Sequence, residues 1–456
     1  MVQLREKQKF QIKIKRLGIN GEGIGYHQKM IIFVANALPD EEVLVQVTKA
    51  TPKYAYAKII KILKPSKDRV QPACAYYDAC GGCQLMHLSY QAQLDFKRDL
   101  LKQALEKFKP TGYQNYELRP TIGMQNPWHY RNKAQFQLRF NPKLKKIEAG
   151  LYKENSHQLV AIENCLVQEE ITQKVLNTVV RLLNRYQIPI YNEKKKTGIL
   201  KTLMVRVGIE TGEVQLVLIS VKRQIPNLNS LLRLIQSQCP EVVSIMQNIQ
   251  AKQTSLVMGD ETIHLAGKEA ITEQINEVVF DLSARAFFQL NPTQTKILYD
   301  EAIKACTLTG NESVVDAYCG VGTIGLSIAK QVKEVRGMDI IPSAIEDAKK
   351  NAQRLGVANT HYEVGTAEDL LPKWLAEGFQ ADVIIVDPPR TGLDGQLLNA
   401  LLKYPSQQLV YVSCNVSTLA KNLVTLSQKY RVDYLQSVDM FPHTARCEVV
   451  CKLTLK

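Results

Sequence analysis

The chain has 456 residues, of which 45% are hydrophobic and 22% charged, and its formal net charge is +14. At about 150 residues per domain, this length predicts roughly three domains. No apolar run approaches the roughly 18 residues of a membrane-spanning helix, and the first residues lack the apolar core of a secretory signal. We therefore expect a cytoplasmic protein without a membrane partner. The basic surplus favours a protein that binds a polyanionic partner such as nucleic acid over a generally basic enzyme without such a partner.

Residues 1–64 are predicted to form a small basic β-barrel. Residues 9–18 alternate polar and apolar, as a half-buried strand does, and glycine turns separate four further short strands. Basic side chains crowd the first strand at Arg5, Lys7, Lys9, Lys13, Lys15 and Arg16. Side chains able to stack on bases, or simply to pack, follow at Tyr26, Tyr54 and Tyr56. The segment resembles a TRAM domain, an OB-like RNA-binding module, although Asp40 replaces the usual glycine after the third strand.

Residues 65–280 are predicted to be a central β-rich domain with a metal or iron–sulfur site. Cys74, Cys80 and Cys83 stand in a C-x5-C-G-G-C spacing, and two glycines allow the backbone to fold around a centre. Cys165 is the candidate fourth ligand, and zinc fits this ligand number equally well. Because a cytoplasmic chain rarely keeps disulfides, the ten cysteines indicate thiols, metal binding or catalysis.

Three further patterns fall in the central domain. Residues 84–108 predict a helix with a packing role, and residues 203–220 predict a hairpin around Thr211 and Gly212. Residues 126–140 predict a basic strand in which aromatic and cationic side chains alternate. That pattern suits either single-stranded RNA or an ordinary half-exposed strand.

Residues 281–456 begin with a strand–glycine turn–helix pattern. Gly320, Gly322 and Gly325 form G-x-G-x-x-G, which permits a tight turn and close ligand approach at a helix start. The motif alone is weak, because nicotinamide and flavin enzymes share it. Asp339 ends the next predicted strand about 20 residues on, where a carboxylate can bind ribose hydroxyls.

The fourth predicted strand of this region ends in Asp387-Pro388-Pro389-Arg390. An acidic residue followed by two prolines forms a rigid wall beside a flat ring, as in methyltransferases that use S-adenosylmethionine, although two prolines can also simply end a strand. Together with the glycine turn and Asp339, this end predicts a Rossmann-like α/β methyltransferase domain. The fold class is thus multidomain α+β, with barrel, central domain and α/β domain in that order.

Cys414 and Glu448 are the candidate catalytic pair. Cys414 ends the buried strand that follows D-P-P-R, where catalytic side chains of open α/β sheets lie, and Glu448 begins the last strand. Methylation of a pyrimidine at C5 needs a thiolate that adds to C6 and a base that removes the C5 proton. A small core cysteine is the alternative reading of Cys414 taken alone.

Taken together, the motifs resemble those of the RNA (uracil-5-)-methyltransferase family, in its 23S ribosomal RNA branch with a TRAM domain and a [4Fe-4S] cluster. They are C-x5-C-G-G-C with a later cysteine, Y-R-N-K, F-x-Q-x-N, D-x-Y-C-G-x-G, D-P-P-R, S-C-N and H-T-x-x-x-E. The resemblance implies Cys414 as nucleophile and Glu448 as base. It implies S-adenosylmethionine contacts at Gln289, Tyr318, Gly320, Asp339 and Asp387. It implies cluster ligands at Cys74, Cys80, Cys83 and Cys165.

The chain departs from the family pattern at three positions. Arg446 and Cys447 stand where relatives commonly have histidine and valine, and Thr323 stands where relatives can have asparagine. Cys319 and Cys447 are rival nucleophiles, but one lies in the cofactor turn and the other precedes the last strand. We rank both below Cys414.

Several alternatives stay open at this point. Transfer RNA is the alternative substrate, and a monomer is expected. A cytosine-5 methyltransferase would carry a second cysteine where Arg390 stands, and an amino-methyltransferase would carry an aromatic residue there. An RNA-binding iron–sulfur scaffold with a degenerate enzyme domain would not need Cys414 and Glu448.

Overall fold

A computed structural model describes residues 4–154, 156–254, 256–275 and 278–456. The strands are β1 Lys9–Leu17, β2 Gly23–His27, β3 Met30–Ala35, β4 Glu42–Ala50, β5 Tyr54–Lys64, β6 Glu117–Ile122, β7 Lys133–Asn141, β8 Lys146–Tyr152, β9 Leu159–Ala161, β10 Leu200–Val207, β11 Val214–Ser220, β12 Val242–Ile249, β13 Glu261–Gly267, β14 Ala270–Ile275, β15 Val278–Ser283, β16 Ser313–Ala317, β17 Glu334–Asp339, β18 Thr360–Val364, β19 Val383–Val386, β20 Gln408–Ser413, β21 Tyr430–Val438 and β22 Glu448–Leu455. The helices are α1 Tyr90–Phe108, α2 Glu170–Arg185, α3 Leu228–Gln238, α4 Pro292–Cys306, α5 Thr323–Ile328, α6 Pro342–Arg354, α7 Ala367–Ala376, α8 Gly395–Lys403 and α9 Val416–Leu426. Across the described ranges, none of these helices is long and apolar enough to cross a membrane.

The first five strands close into a barrel in the order β1-β2-β3-β5-β4, which confirms the predicted five-stranded module. Ile12 and Ile14 of β1 are buried while Lys13 and Lys15 are exposed, so the sequence alternation separates an apolar interior from a basic exterior. Asp40 has a φ of 66°, a left-handed conformation that favours glycine but that aspartate also tolerates. The departure from the TRAM pattern at Asp40 therefore keeps the backbone turn.

The central region contains a seven-stranded sheet in the order β13-β12-β11-β10-β7-β8-β9. Strands β10 and β11 pair antiparallel, which confirms the predicted hairpin. Helices α2 and α3 cover one face of the sheet through an apolar core that includes Val175, Leu182 and Leu231. Strands β14 and β15 form a separate two-stranded sheet.

The C-terminal region is built on an eight-stranded sheet in the order β18-β17-β16-β19-β20-β22-β21-β6. Strands β16 to β20 run parallel, and β22 is inserted antiparallel between β20 and β21. The continuous apolar runs of β19 and β20 are buried, as expected where helices cover both faces of a sheet. Helices α1, α7, α8 and α9 pack on one face and α4, α5 and α6 on the other. This arrangement is the predicted Rossmann-like layering.

One strand of the predicted central domain belongs to this C-terminal sheet. Strand β6 pairs parallel with β21 at the edge of the eight-stranded sheet, and the preceding helix α1 packs against α9. The expected packing role of α1 is present, because Phe96, Leu100 and Leu105 enter the apolar core. The chain boundary at residue 280 remains a prediction, and the sheet itself draws on residues from both sides of it.

Candidate active site

Strand register brings Cys414 and Glu448 to the same end of the sheet. The last residue of β20, Ser413, pairs with Val449 of the antiparallel strand β22. Cys414 follows Ser413 and Glu448 precedes Val449, so the two residues lie at the same end of this strand pair. Glu448 is only 7% exposed, and Cys414 is half-buried. Asn415 caps α9 and its Nδ2 donates a hydrogen bond to the Arg390 carbonyl at 2.9 Å, which joins the S-C-N and D-P-P-R ends.

The electrostatics of this pair raise the pKa values of both groups above their ordinary range. Burial raises the pKa of Cys414 to about 11, and the charges of Glu448 and Asp387 add to the rise, whereas Arg390 opposes it. Burial raises the pKa of Glu448 to about 8, with a further rise from Asp387 and opposing effects from Arg390, Lys97 and Arg446. A cationic ligand in the crevice would therefore favour ionisation of both groups.

The glycine turn is held by two carboxylates. Asp316 Oδ2 accepts a hydrogen bond from the Gly325 amide at 2.8 Å, and Asp339 Oδ2 accepts one from the Gly320 amide at 3.0 Å. Tyr318 and Gly322 have φ values of 67° and 83°, so this turn runs through the left-handed region. The arrangement presents backbone amides near the start of α5, next to the Asp339 carboxylate.

Gln289 and Tyr318 flank this turn through hydrogen bonds to other side chains. Gln289 hydrogen-bonds the hydroxyl group of Tyr299, and Thr323 lies 3.2 Å from the same hydroxyl. The Tyr318 hydroxyl donates to Glu368 Oε1 at 2.7 Å. Glu368 was not identified from the sequence, because nothing in its own neighbourhood marks it as facing Tyr318.

Asp387 interacts electrostatically with the candidate catalytic pair and with Asp316, which holds the glycine turn. Burial, together with the charge of Asp316, raises the pKa of Asp387 to about 7. Burial also raises the pKa of Asp316 to about 7, with a contribution from Asp339. Burying several carboxyl groups disfavours their charged forms, and the nearby arginines offset this only in part at Glu448, so the crevice is electrostatically suited to a positively charged ligand.

The rival cysteines are less accessible than Cys414. Cys319 is 4% exposed and Cys447 is 5% exposed. Burial raises the pKa of Cys447 to about 12, and its Sγ faces the Lys97 carbonyl. Both thiols are therefore packed inside the protein.

The four predicted metal ligands line one cavity of about 320 Å³. They are Cys74, Cys80, Cys83 and Cys165. All four are free thiols, and burial together with the neighbouring thiols raises the pKa of Cys83 to about 12. Arg131 and Gln168 line the same cavity, and their buried Nε and Oε1 atoms have no hydrogen-bond partner among the described residues. In the part of the chain that the structure describes, no group of three or more His, Cys, Asp or Glu side chains is arranged to hold a metal ion.

Segment 126–140 left two alternatives open, RNA stacking or an ordinary half-exposed strand, and two of its aromatic residues have internal contacts. Tyr130 is buried and its hydroxyl donates to the Pro442 carbonyl at 2.9 Å. The Trp128 ring stacks on His443 with a centroid distance of 4.0 Å. The strand itself begins only at Lys133, so both rings serve internal packing beside residues 439–447.

Helix α1 supplies polar contacts that sequence reasoning missed. Lys97 and Asp439 form an ion pair in which both side chains are fully buried, and Tyr90 donates to Asp439 Oδ2 at 2.9 Å. Gln93 is 1% exposed and contacts His443. The available signal was the presence of Gln93 and Lys97, four residues apart, on the otherwise apolar face of α1.

The domain combines a Rossmann-like sheet with a glycine turn, and a cysteine and a carboxylate lie at the carboxyl ends of its parallel strands. These features define a methyltransferase-type enzyme domain. Comparison with known proteins extends this assignment. The model of the tRNA (uracil-5-)-methyltransferase family matches residues 89–456, and the model of the TRAM domain matches residues 3–60. The chain therefore belongs to the tRNA (uracil-5-)-methyltransferase family, which makes it an S-adenosylmethionine-dependent RNA methyltransferase of the uracil-5 type.

Similar proteins cover nearly the whole chain. An uncharacterized RNA methyltransferase of Enterococcus faecalis is 66% identical over 99% of both chains. One from Listeria monocytogenes is 54% identical over 99% of this chain and 98% of its own. The structure of the Pyrococcus abyssi tRNA (uracil-54, C5)-methyltransferase, in complex with S-adenosyl-L-homocysteine, is similar with a TM-score of 0.77 and 27% identity, covering 97% of this chain and 99% of the other.

Proposed function

We propose that the protein transfers a methyl group from S-adenosylmethionine to C5 of a uridine in 23S ribosomal RNA, through a covalent bond between Cys414 and C6 of the base. The observation that carries the C5 chemistry of this proposal is the register of β20 and β22, which sets Cys414 and Glu448 at the same end of two neighbouring strands, in electrostatic contact with Asp387. The choice of 23S ribosomal RNA rests on the resemblance of the sequence motifs. Methylation at C5 requires a nucleophile and a proton acceptor on opposite sides of one uracil ring.

The two residues act in sequence. The Cys414 thiolate adds to C6, and the electron pair of the C5–C6 double bond becomes available at C5. S-adenosylmethionine, when bound, would supply the methyl group that C5 takes, with its S–CH3 bond broken and S-adenosylhomocysteine left behind. Glu448 then removes the C5 proton, the double bond re-forms, and the bond between C6 and sulfur breaks to return the thiolate.

The cofactor is proposed to bind along the glycine turn. Asp339 is suited to the ribose hydroxyls and Gly320 to close approach of the ligand, while Gln289 and Tyr318 flank the turn. Asp387 interacts electrostatically with Asp316, which holds the turn, and with Cys414. A sulfonium bound there would place positive charge near Asp387 and Glu448, whose pKa values stay raised although Arg390 opposes the rise for Glu448, and this supports the choice of cofactor.

The cysteine cavity is proposed to hold a [4Fe-4S] cluster. Four thiols surround an open cavity, which suits a group of several atoms better than a single tetrahedral ion. The unpartnered Arg131 Nε supports a ligand with acceptor atoms at this place. Iron and sulfide analysis of anaerobically purified protein, with Cys165→Ser for comparison, tests this assignment.

The RNA is proposed to cross the barrel before reaching the active site. Lys13, Lys15 and neighbouring basic residues of β1 are exposed, which suits phosphate binding. On another face, Phe33, Tyr54 and Tyr56 form a cluster with ring centroids 5.4 to 5.7 Å apart. The target uridine must be unstacked and turned into the crevice, so a loop or junction is the expected site.

A trapping experiment tests the reaction and identifies the RNA. Fluorine at C5 cannot be removed as a proton, so RNA containing 5-fluorouridine should stall as a covalent adduct. We expect an adduct that needs S-adenosylmethionine, survives denaturing electrophoresis and disappears in Cys414→Ala. Absence of the adduct from intact protein would overturn the covalent mechanism.

Transfer RNA is the second candidate substrate. The observation that favours it is the similarity to the Pyrococcus abyssi enzyme, whose stated substrate is tRNA uracil-54. Sequencing the trapped RNA separates the two candidates. Recovery of 23S fragments supports the first, and recovery of tRNA overturns it in favour of the second.

A further inference from the structure

We infer that the cysteine loop 80–85 positions the catalytic base through His443, which makes His443 and Gln93 positioning residues for Glu448. The inference rests on the proposed function in one respect, namely that Glu448 acts as the base. The segment 439–447, which leads directly into β22 and Glu448, is here called the base loop. It carries no group proposed to react, yet residues of the central region contact it at Asp439, Phe441, Pro442 and His443.

The direct link between the two loops is a shared hydrogen-bond acceptor. The His443 carbonyl accepts hydrogen bonds from the amides of Gln84 at 3.0 Å and Leu85 at 2.9 Å. Gln84 immediately follows Cys83, so the path from a cavity-lining thiol to the base loop is one residue long. Any change in the backbone around Cys83 must move the donors that hold this carbonyl.

The conformation of His443 depends on its neighbours. Its φ of 66° lies in the left-handed region, which a histidine adopts only where surrounding contacts hold it. Gln93 Oε1 accepts from the His443 amide at 2.9 Å, Gln93 Nε2 lies 3.3 Å from the ring Nδ1, and Trp128 stacks on the ring. Because His443 is only 3% exposed, water cannot replace these contacts.

Other anchors of the base loop come from the same region of the chain. Tyr130, which donates to the Pro442 carbonyl, is followed by the cavity-lining Arg131. Lys97 pairs with Asp439 and also donates to the Phe441 carbonyl at 3.0 Å. The base loop is thus held by α1 and by two short segments next to cavity-lining residues, namely residues 84–85 after Cys83 and Tyr130 before Arg131.

The order of the proposed chemical steps gives this coupling a specific signature. Glu448 acts only after Cys414 has bonded to C6 and the methyl group has reached C5. A misplaced Glu448 therefore stalls the reaction as a methylated covalent adduct, whereas weaker RNA binding lowers the amount of adduct. Glu448→Gln supplies the reference for the stalled state.

The first test uses Gln93→Met, with the exposed Gln91→Met on the same helix as matched control. We expect Gln93→Met to lower kcat at least about tenfold, to leave KM for RNA within a few-fold and to accumulate adduct on ordinary uridine RNA. Normal kcat, or a slow variant without adduct, overturns the inference. If Glu448→Gln itself yields no adduct, the proposed base is wrong instead.

The second test is independent of activity. Amide hydrogen exchange of Cys83→Ser is compared with that of the wild type and of Cys239→Ser, a buried cysteine of the central region outside the cavity. We expect Cys83→Ser to speed exchange in residues 84–85 and 440–447 by at least about tenfold, with β17 unchanged. Unchanged protection of the base loop in Cys83→Ser overturns the inference even if activity is lost.

Discussion

The carboxylate of Glu448 raises the pKa of the Cys414 thiol, so the proposed base works against ionisation of the proposed nucleophile. In the proposed reaction both residues act on the same uracil ring, so they must nevertheless lie close together. The conflict is resolved when positive charge enters the crevice, since a cation favours the charged forms of both. Cofactor binding and activation of the thiol are then one event.

We expect Glu448→Gln to lower the pKa of Cys414 from about 11, because one of the two carboxylates that raise it is removed. The midpoint of iodoacetamide alkylation of Cys414, followed by mass spectrometry across pH, should shift downward, since only the thiolate reacts. The exposed Glu377→Gln is the charge-matched control and should leave the midpoint in place. A midpoint that stays or rises in Glu448→Gln contradicts the electrostatic account.

Cys414→Ala should abolish methyl transfer while RNA affinity stays within a few-fold, because the thiol reacts but does not hold the RNA backbone. Filter binding and transfer of labelled methyl groups measure the two quantities separately. Cys306→Ala, a buried cysteine at the end of α4, is the matched control and should keep turnover. Full activity of Cys414→Ala would rule out the covalent route.

Lys97→Met should destabilise the protein by about 3–5 kcal/mol, because it leaves the Asp439 carboxylate buried and unpaired. Denaturant unfolding measures the loss. The exposed Lys102→Met on the same helix should change stability little. The double variant Lys97→Met with Asp439→Asn should recover part of the loss, since the buried charge is gone; equal stability of the single and double variants would contradict this reasoning.

Arg390→Gln and Arg446→Gln should each weaken RNA binding and reduce the slope of log K against log salt by about 1. Both guanidinium groups are exposed and, among the described residues, neither has an ion-pair partner, while each interacts electrostatically with Cys414. Titration at several salt concentrations measures the slope. Lys403→Gln, on α8, is the charge-matched control; an unchanged slope in both arginine variants would place the phosphates elsewhere.

Local sequence patterns were sufficient to predict the elements that carry the chemistry. The apolar run before Ser413 and the glycines after Asp316 specify a buried strand and a turn without help from distant residues. The pairing of β6 with β21 was not predictable in this way, because an alternating strand does not reveal its neighbour. The roles of Gln93 and Lys97 likewise could not be predicted without their partners, which lie 350 and 342 residues further along the chain.

The position of β6 also bears on how the chain folds during synthesis. Its partner β21 begins at residue 430, and β22 must be inserted between β20 and β21 before the sheet is complete. At about 5–20 residues per second, β6 waits on the order of 15–60 s for its partner to be translated. The early half of the protein therefore leaves the ribosome with an unpaired strand edge, a state in which protection by chaperones would matter most.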